Sequence, residues 1–371
     1  MPSDAAEQNS APPRRRLFFA RYEKRLSIFA FALGFLWDSL TLTSIDRLFD
    51  NIALLSYLVI AFASIALINA SRVRDSENPL LRRGGAFARV LLPFSFGGLF
   101  SGFLIFYSKS GPVLSSAPFF LFLLALFLGN EFFRRQYQRF VFQMSVFFAA
   151  LFSYVELVVP VLVGRIGGTL FFVSGITALV LFFLVFATIS RFSREEAKQS
   201  AFSLWTVVIG MFIAFNFLYF NNMIPPIPLS LKEIGIYHNV ERTKSGEYRL
   251  SFEEAPWYRF GQETNAVFHR SGNEPIFAFS SVFAPSRLLT EVVHRWSYFD
   301  EQKQTWVDST IVTFPISGGR EGGFRGYSKK GAISPGKWRV DVQTLRGQTI
   351  GRFVFEVVPA LEAPKLAETT F

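Results

Sequence analysis

Residues 213–240 read IAFNFLYFNNMIPPIPLSLKEIGIYHNV, and the chain changes character inside this stretch. Up to Phe220 it is a nearly unbroken apolar run. Pro225, Pro226 and Pro228 then forbid a helix and favour a stiff, extended connection over 224–229. From Leu231 the apolar period falls to two, with Ile234, Ile236, His238 and Val240 on one side of a strand. A helical half is therefore joined to a β half by a short, rigid link.

Upstream, apolar runs occupy 26–45, 51–70, 90–108, 114–133, 140–163, 168–190 and 201–223. About 20 apolar residues as helix rise ~30 Å, the thickness of a bilayer's hydrocarbon core. The spacing predicts a seven-helix transmembrane domain over 26–223. Every second gap is basic: Arg14, Arg15, Arg16, Arg21, Lys24 and Arg25; Arg72, Arg74, Arg82, Arg83 and Arg89; Arg134, Arg135 and Arg139; Arg191, Arg194 and Lys198. The other gaps offer only Arg47, Lys109 and Arg165. Short Lys/Arg-rich loops stay cytoplasmic, so the N-terminus is expected inside and everything beyond about 224 outside. Residues 1–25 read as a disordered basic cytoplasmic segment, and 71–89 as a loop along the inner surface. The first run is too long for a secretory signal and six spans follow it, so it reads as an uncleaved helix.

The net charge of +10 would suggest a nucleic-acid partner in a soluble protein. Here the excess sits in the gaps between spans, while 225–371 is nearly neutral; nucleic acid is excluded and the bilayer is the expected partner. With no cysteine in the chain, disulfides, thiolate metal sites and thiol catalysis are excluded.

Downstream, IFAFSSVF sets Phe277, Phe279 and Phe283 against smaller residues, and EVVHRWSYF groups Val292, His294, Trp296 and Tyr298. KWRVDV alternates Trp338, Val340 and Val342 with charges; GRFVFEVV alternates Phe353, Phe355 and Val357. Such alternation predicts strands with one buried and one wet face, seven or eight of them over 230–358. Gly-rich turns separate them, which is the profile of an immunoglobulin-like antiparallel β-sandwich. Residues 359–371 read as a loose tail. The segment from HRWSYFD to GRFVFEV, through Trp296, Arg325, Tyr327, Ser328, Gly336, Trp338, Val340, Gly351 and Phe355, resembles the bacterial domain of unknown function numbered 2914. The resemblance implies a bacterial envelope protein ending a multi-pass membrane chain, and it implies no chemistry.

Asp38 and Glu156 are the acids well inside spans, both in the outer half of the expected membrane. A charge there costs ~2.5–3.5 kcal/mol on insertion scales. They read either as a proton or cation relay or as acids each paired with a hydroxyl, an amide or a cation such as Arg165. Gly98 and Gly102 form a GxxxG that permits close helix packing, within the bundle or in a homo-oligomer. His238, His269 and His294 match no zinc-ligand spacing and read as core or interface histidines. The turn SGGREGGFRG, with Arg320, Arg325, Lys329 and Lys330, offers a surface for anionic headgroups or glycans, and Trp257 and Tyr258 for the outer leaflet.

No nucleophile elbow, HExxH, Walker motif or catalytic carboxylate pair occurs. The sequence thus predicts a non-enzyme of the bacterial inner membrane, without metal or cofactor. Its periplasmic β domain is expected to bind an envelope protein or glycan. The alternative is a transporter or channel using Asp38 and Glu156.

Overall fold

The computed structural model describes residues 35–42, 47–73, 79–132, 136, 139–254, 264–285, 288–319, 322–360, 362 and 364–371. The chain divides into two units, Met1–Thr43 and Ser44–Phe371. In the first, helix α1 covers 35–41 and contains Asp38; the rest of the first expected span before residue 35 lies outside the described residues. The second holds α2 (Leu48–Val73), α3 (Pro79–Ser110), α4 (Ala117–Phe132), α5 (Phe140–Val163), α6 (Gly168–Ser190) and α7 (Arg194–Phe220).

Among the described residues, five helices are long and apolar enough to cross a membrane: α2, α3, α5, α6 and α7. The run expected at 114–133 opens with a short 3-10 turn at Val113–Ser116 that leads directly into the 16 residues of α4. The expected inner-surface loop at 71–89 is largely helix instead, because Pro79 starts α3 and Gly84 and Gly85 let it lie against Leu67 and Ser71 of α2. Gly98 serves the same pair: a Cβ there would sit 2.7 Å from the Tyr57 ring. Gly98, the first glycine of the GxxxG, thus packs α3 on α2 inside one chain.

Aromatic rings fill the bundle. Phe152 stacks on Phe215 at 4.3 Å between ring centres, and Phe171 on Tyr219 at 3.8 Å. Asn69 donates to Gln143 across α2 and α5 at 3.1 Å. The outward faces keep Phe183, Leu184, Phe202, Ile213 and Phe217 exposed. So continuous an apolar surface is compatible with a multi-pass protein in lipid and would be a liability in water.

The β half forms three sheets among the described residues. Strands β1 (Ser230–Tyr237), β5 (Ile276–Phe283) and β8 (Phe324–Lys330) make one, in the order β1-β5-β8. The second runs β4-β10-β9-β6-β7, from β4 (Val267–Ser271), β10 (Thr349–Ala360), β9 (Gly336–Thr344), β6 (Leu289–Asp300) and β7 (Thr305–Ser317). The third joins β11 (Ala367–Thr370), β3 (Tyr248–Phe252) and β2 (Asn239–Arg242). Most pairs are antiparallel, but β10 and β4 run parallel.

The first two sheets pack face to face over Ile236, Ile276, Ala278, Trp296, Trp338, Val340, Phe353 and Phe355. The third covers the outer side of the first, over Tyr237, Val240, Leu250, Phe252, Phe277 and Phe279. Strand β5 is therefore the middle of three layers, and all eight of its residues are buried. Phe277 and Phe279 fill the outer core and Ile276, Ala278 and Val282 the inner ones, so neither face is wet.

The expectation for 231–240 changes in the same way. The chain bends at His238, leaving Ile234 and Ile236 in one core and sending Val240 into another. The tail expected to be loose is tied down. Its Ala367–Thr370 pairs with β3, and Phe371 exchanges backbone hydrogen bonds with Tyr248 at 2.8 and 2.9 Å while its ring meets Phe279.

The linker is built in as well. Ile224, Ile227 and Leu229 are buried, and the β9–β10 turn seats on the bundle's end. There Asn222 donates to the Arg346 carbonyl at 3.0 Å and Gln348 to the Ile224 carbonyl at 3.2 Å. The Arg346 guanidinium lies over the rings of Tyr219 and Phe220, 4.8 and 5.1 Å from their centres. At Gly111 a Cβ would come within 2.7 Å of the Thr349 carbonyl oxygen.

Deleting residues 366–371 uncovers the outer core and leaves the edge of β3 unpaired. The thermal unfolding of the full chain should lose about 2–4 kcal/mol, in line with burial of one aromatic plus a few strand hydrogen bonds. An unchanged midpoint would show that the tail merely rests there.

Candidate functional site

Glu156 sits about two turns before the end of α5, roughly 10 Å along the helix axis. Its residue is 5% exposed, and its Oε1 has no hydrogen-bond partner among the described residues. It lines a cavity of about 30 Å³ with Tyr107, Pro160, Phe171, Tyr219, Ile224, Pro225 and Gln348. That is room for about one water molecule. Asp38 belongs to the Met1–Thr43 unit, half-exposed on α1.

The residues proposed from the SGGREGGFRG turn separate. Arg320, Trp257 and Tyr258 lie outside the described residues. Arg325 is half-buried, and Lys329 is exposed over the Phe277 ring. Lys330 points to the opposite face of β8 and is not a surface contact. It is 7% exposed and donates to Ser309 and Thr310 at 2.9 and 2.7 Å. Burial lowers its pKa from the usual lysine value.

The histidines all find partners. His294 is fully buried between the first two sheets. Its Nε2 lies 2.7 Å from Ser280 Oγ, its Nδ1 2.9 Å from Ser328 Oγ, and Trp296 Nε1–H donates to that same Ser328 oxygen at 2.9 Å. A neutral imidazole completes this chain: Trp296 donates to Ser328, Ser328 to Nδ1, and Nε2–H to Ser280. Burial pushes the His294 pKa down to about 3. Ser280–His294 has a nucleophile's look, but it is sealed in the core and serves as a polar pin between sheets.

His238 and His269 meet at Glu253. His238 Nε2 lies 3.1 Å from Oε1 and His269 Nδ1 2.6 Å from Oε2, while the His269 backbone N–H donates to Oε1 at 2.7 Å. Glu274 approaches His238 Nδ1 at 3.3 Å. Burial would raise the Glu253 pKa, yet hydrogen bonds from His238 and His269 hold it below the usual carboxylate value. No group of three or more such side chains among the described residues has the geometry to hold a metal ion.

The densest polar construction was not singled out from sequence. It lies on the outer face of the five-stranded sheet, in an open groove of about 720 Å³ lined by Asn222, Arg295, Trp306, Asp308, Arg339, Asp341, Gln343, Arg346 and Arg352 among others. Strand register assembles it: Arg295 stands opposite Asp341, Ser297 opposite both Arg339 and Asp308, and Arg352 opposite Asp341. Asp341 is 1% exposed and accepts two hydrogen bonds from Arg352, at 2.5 and 3.1 Å. Asp308 accepts from Arg295 at 2.5 Å and from Ser297 at 3.0 Å. Burial would raise the Asp308 pKa, but Ser297 and Arg295 bring it below the usual value. Arg339 lies over the Trp306 ring at 4.7 Å. The sequence did carry a signal, the charges alternating with Trp338, Val340 and Val342, but it read as an ordinary wet face.

Residues 289–357, from the start of β6 into β10, match the family described as protein of unknown function (DUF2914). The matched segment contains every arginine and aspartate of the groove and the docked β9–β10 turn. No curated protein matches the chain. Among solved structures, the Pseudomonas fluorescens alkylpurine DNA glycosylase AlkC, bound to DNA containing an abasic site analog, aligns at 12% identity. The alignment covers 86% of this chain and 99% of that one, with a TM-score of 0.19, and at that score the likeness carries no argument.

His294 provides a pH test. Its folded pKa lies below the unfolded value of about 6.5, so the unfolded chain binds the extra proton. Stability is complete above that value and falls as pH drops toward 3, by at most ~1.4 kcal/mol per pH unit. His294→Gln, which keeps an amide donor and acceptor, should flatten the slope measured by denaturant unfolding between pH 6.5 and 4. An unaltered slope would assign the acid sensitivity elsewhere. For the groove, Asp341→Asn leaves Arg352 and Arg339 without their buried anion and should cost about 1.5–3 kcal/mol, because Arg352 is partly solvated.

Proposed function

We propose that this protein is a multi-pass protein of a bacterial cytoplasmic membrane that holds its β half on the periplasmic side as a non-catalytic docking platform. The basic loops support that orientation, since they bias the N-terminus toward the cytoplasm. The observation that carries the reading is the free edge of the five-stranded sheet. Strand β7 is 13 residues long and, among the described residues, pairs in its sheet only with β6. A long open edge presents unpaired backbone donors and acceptors, and an extended segment of a partner can add to it as a further strand. Ile311 and Thr313 are exposed along it. The seating of the β half on the bundle fixes this edge at a set height above the bilayer, as a platform requires.

A photo-crosslinking residue placed at Thr313 should capture a periplasmic segment of one envelope protein in cells. Ile311→Lys should reduce that capture several-fold without altering the unfolding midpoint. Absence of a discrete adduct at Thr313 and at Ile311, in membranes where the protein is folded, would refute the platform.

A second reading, transport, is favoured by one observation: the buried Glu156 whose Oε1 lacks a hydrogen-bond partner among the described residues. A membrane acid of this kind is a default pathway residue. In reconstituted vesicles, Glu156→Gln and Asp38→Asn together should then abolish a proton-coupled flux. The same flux in wild type and variant would remove the acids from any pathway. The small size of the Glu156 cavity makes this the weaker reading.

A further inference from the structure

We infer that the arginine groove on the outer face of the five-stranded sheet is a binding site for a phosphate-bearing anion. Four guanidinium groups, Arg295, Arg339, Arg346 and Arg352, share it with two carboxylates, Asp308 and Asp341. The carboxylates are engaged. Asp341 holds Arg352 in a two-point pair with Arg339 Nε at 3.4 Å, and Asp308 holds Arg295. These pairs orient the guanidinium planes and leave an excess of positive charge facing the groove. Arg346 forms no ion pair with a carboxylate among the described residues; its guanidinium carbon sits 4.8 and 5.1 Å from the ring centres of Tyr219 and Phe220. The Arg339 Nε–H is buried and has no hydrogen-bond partner among the described residues, since Asp341 is near it but poorly aligned.

Planar, fixed guanidinium forks match oxyanions carried on phosphorus or carbon, and stacking on aromatic rings lowers the entropic cost of holding them. Position favours phosphate over an acidic peptide. One end of the groove is made by Asn222, Arg346 and Gly347, directly at the C-terminal end of the membrane helix α7. Phosphate headgroups of anionic lipids lie at that level. This site takes Trp306 and Asp308 from the first part of β7, whereas the docking edge is argued at Ile311 and Thr313 further along the strand, and it rests on the reading of α7 as a membrane span only for the lipid as source of the phosphate.

The test uses the full chain in neutral detergent and in nanodiscs. Inorganic pyrophosphate binding is measured calorimetrically. Retention of phosphatidylglycerol over phosphatidylcholine is measured by native mass spectrometry. We expect saturable binding of pyrophosphate or selective retention of phosphatidylglycerol, weakened at least tenfold by Arg346→Gln and by Arg295→Gln. Arg249→Gln, which removes an exposed cation from the other side of the β half, should leave it unchanged. Arg295→Lys, keeping charge but losing the planar fork, should weaken it to an intermediate degree and serves if a glutamine variant fails to fold.

Lipid retention without pyrophosphate binding identifies the bilayer as the source. Pyrophosphate binding without lipid selectivity identifies a soluble phosphate; both support the site. It is overturned if neither ligand binds the folded protein, if the arginine variants bind as wild type does, or if a poly-glutamate peptide binds where both phosphates fail.

Discussion

The seating of one hairpin turn on the ends of the helices is the constraint on which the rest of the molecule depends. Arg346 lies across Tyr219 and Phe220, Asn222 holds the Arg346 carbonyl, and Gln348 holds Ile224. None of these contacts is strong alone; a cation over a ring contributes about 0.5–2 kcal/mol and a neutral hydrogen bond about 1. Together they act on a linker that Pro225, Pro226 and Pro228 have already stiffened. The close approach at Gly111 leaves no space for a side chain between bundle and turn. A β half that could have swung on a tether is instead continuous with the bundle, and α2–α7 and the sheets form one unit.

That continuity explains which features were legible in the sequence. The five long apolar helices were, because the length and apolarity of a run are local properties. The change at Pro225 was legible for the same reason. What depends on a third layer was not. Phe277 and Phe279 alternate with small residues as a half-exposed strand would, and only the arrival of β2, β3 and β11 from distant sequence buries their face. The tail looked loose because AETT has no apolar alternation; its order comes from backbone pairing with β3 and from the single ring of Phe371.

The candidate site was hidden for a different reason. Arg295, Arg339, Asp341 and Arg352 were each visible as polar members of alternating strands, but their meeting is a matter of register between strands up to 57 positions apart in sequence. A shift of one residue in any of the three strands would turn these charges into the core and the tryptophans outward. Conversely, the residues that looked grouped in sequence fell apart. Lys329 and Lys330 are neighbours along the chain and therefore point to opposite faces of β8. One stays in solvent while the other donates to Ser309 and Thr310.

The two faces of β6, β9 and β10 are thus a single device. Inward, Trp296, Trp338, Val340, Phe353 and Phe355 fix the strands against the first sheet, and His294 pins them through Ser280 and Ser328. Outward, the same backbone holds arginine and aspartate in register. The positions of the guanidiniums are then set by a packed core rather than by loop chemistry, which is the condition for a rigid anion site. The turn joining β9 to β10 carries Arg346 from this face onto the rings of Tyr219 and Phe220 at the end of α7, so the element that fixes the β half to the bundle also supplies one of the groove's cations. A ligand that engages Arg346 in the groove draws on the same side chain that rests on Tyr219 and Phe220. Occupancy of the groove and seating of the β half are therefore coupled through one residue, and any anion that bound there would bear directly on how firmly the β half is held.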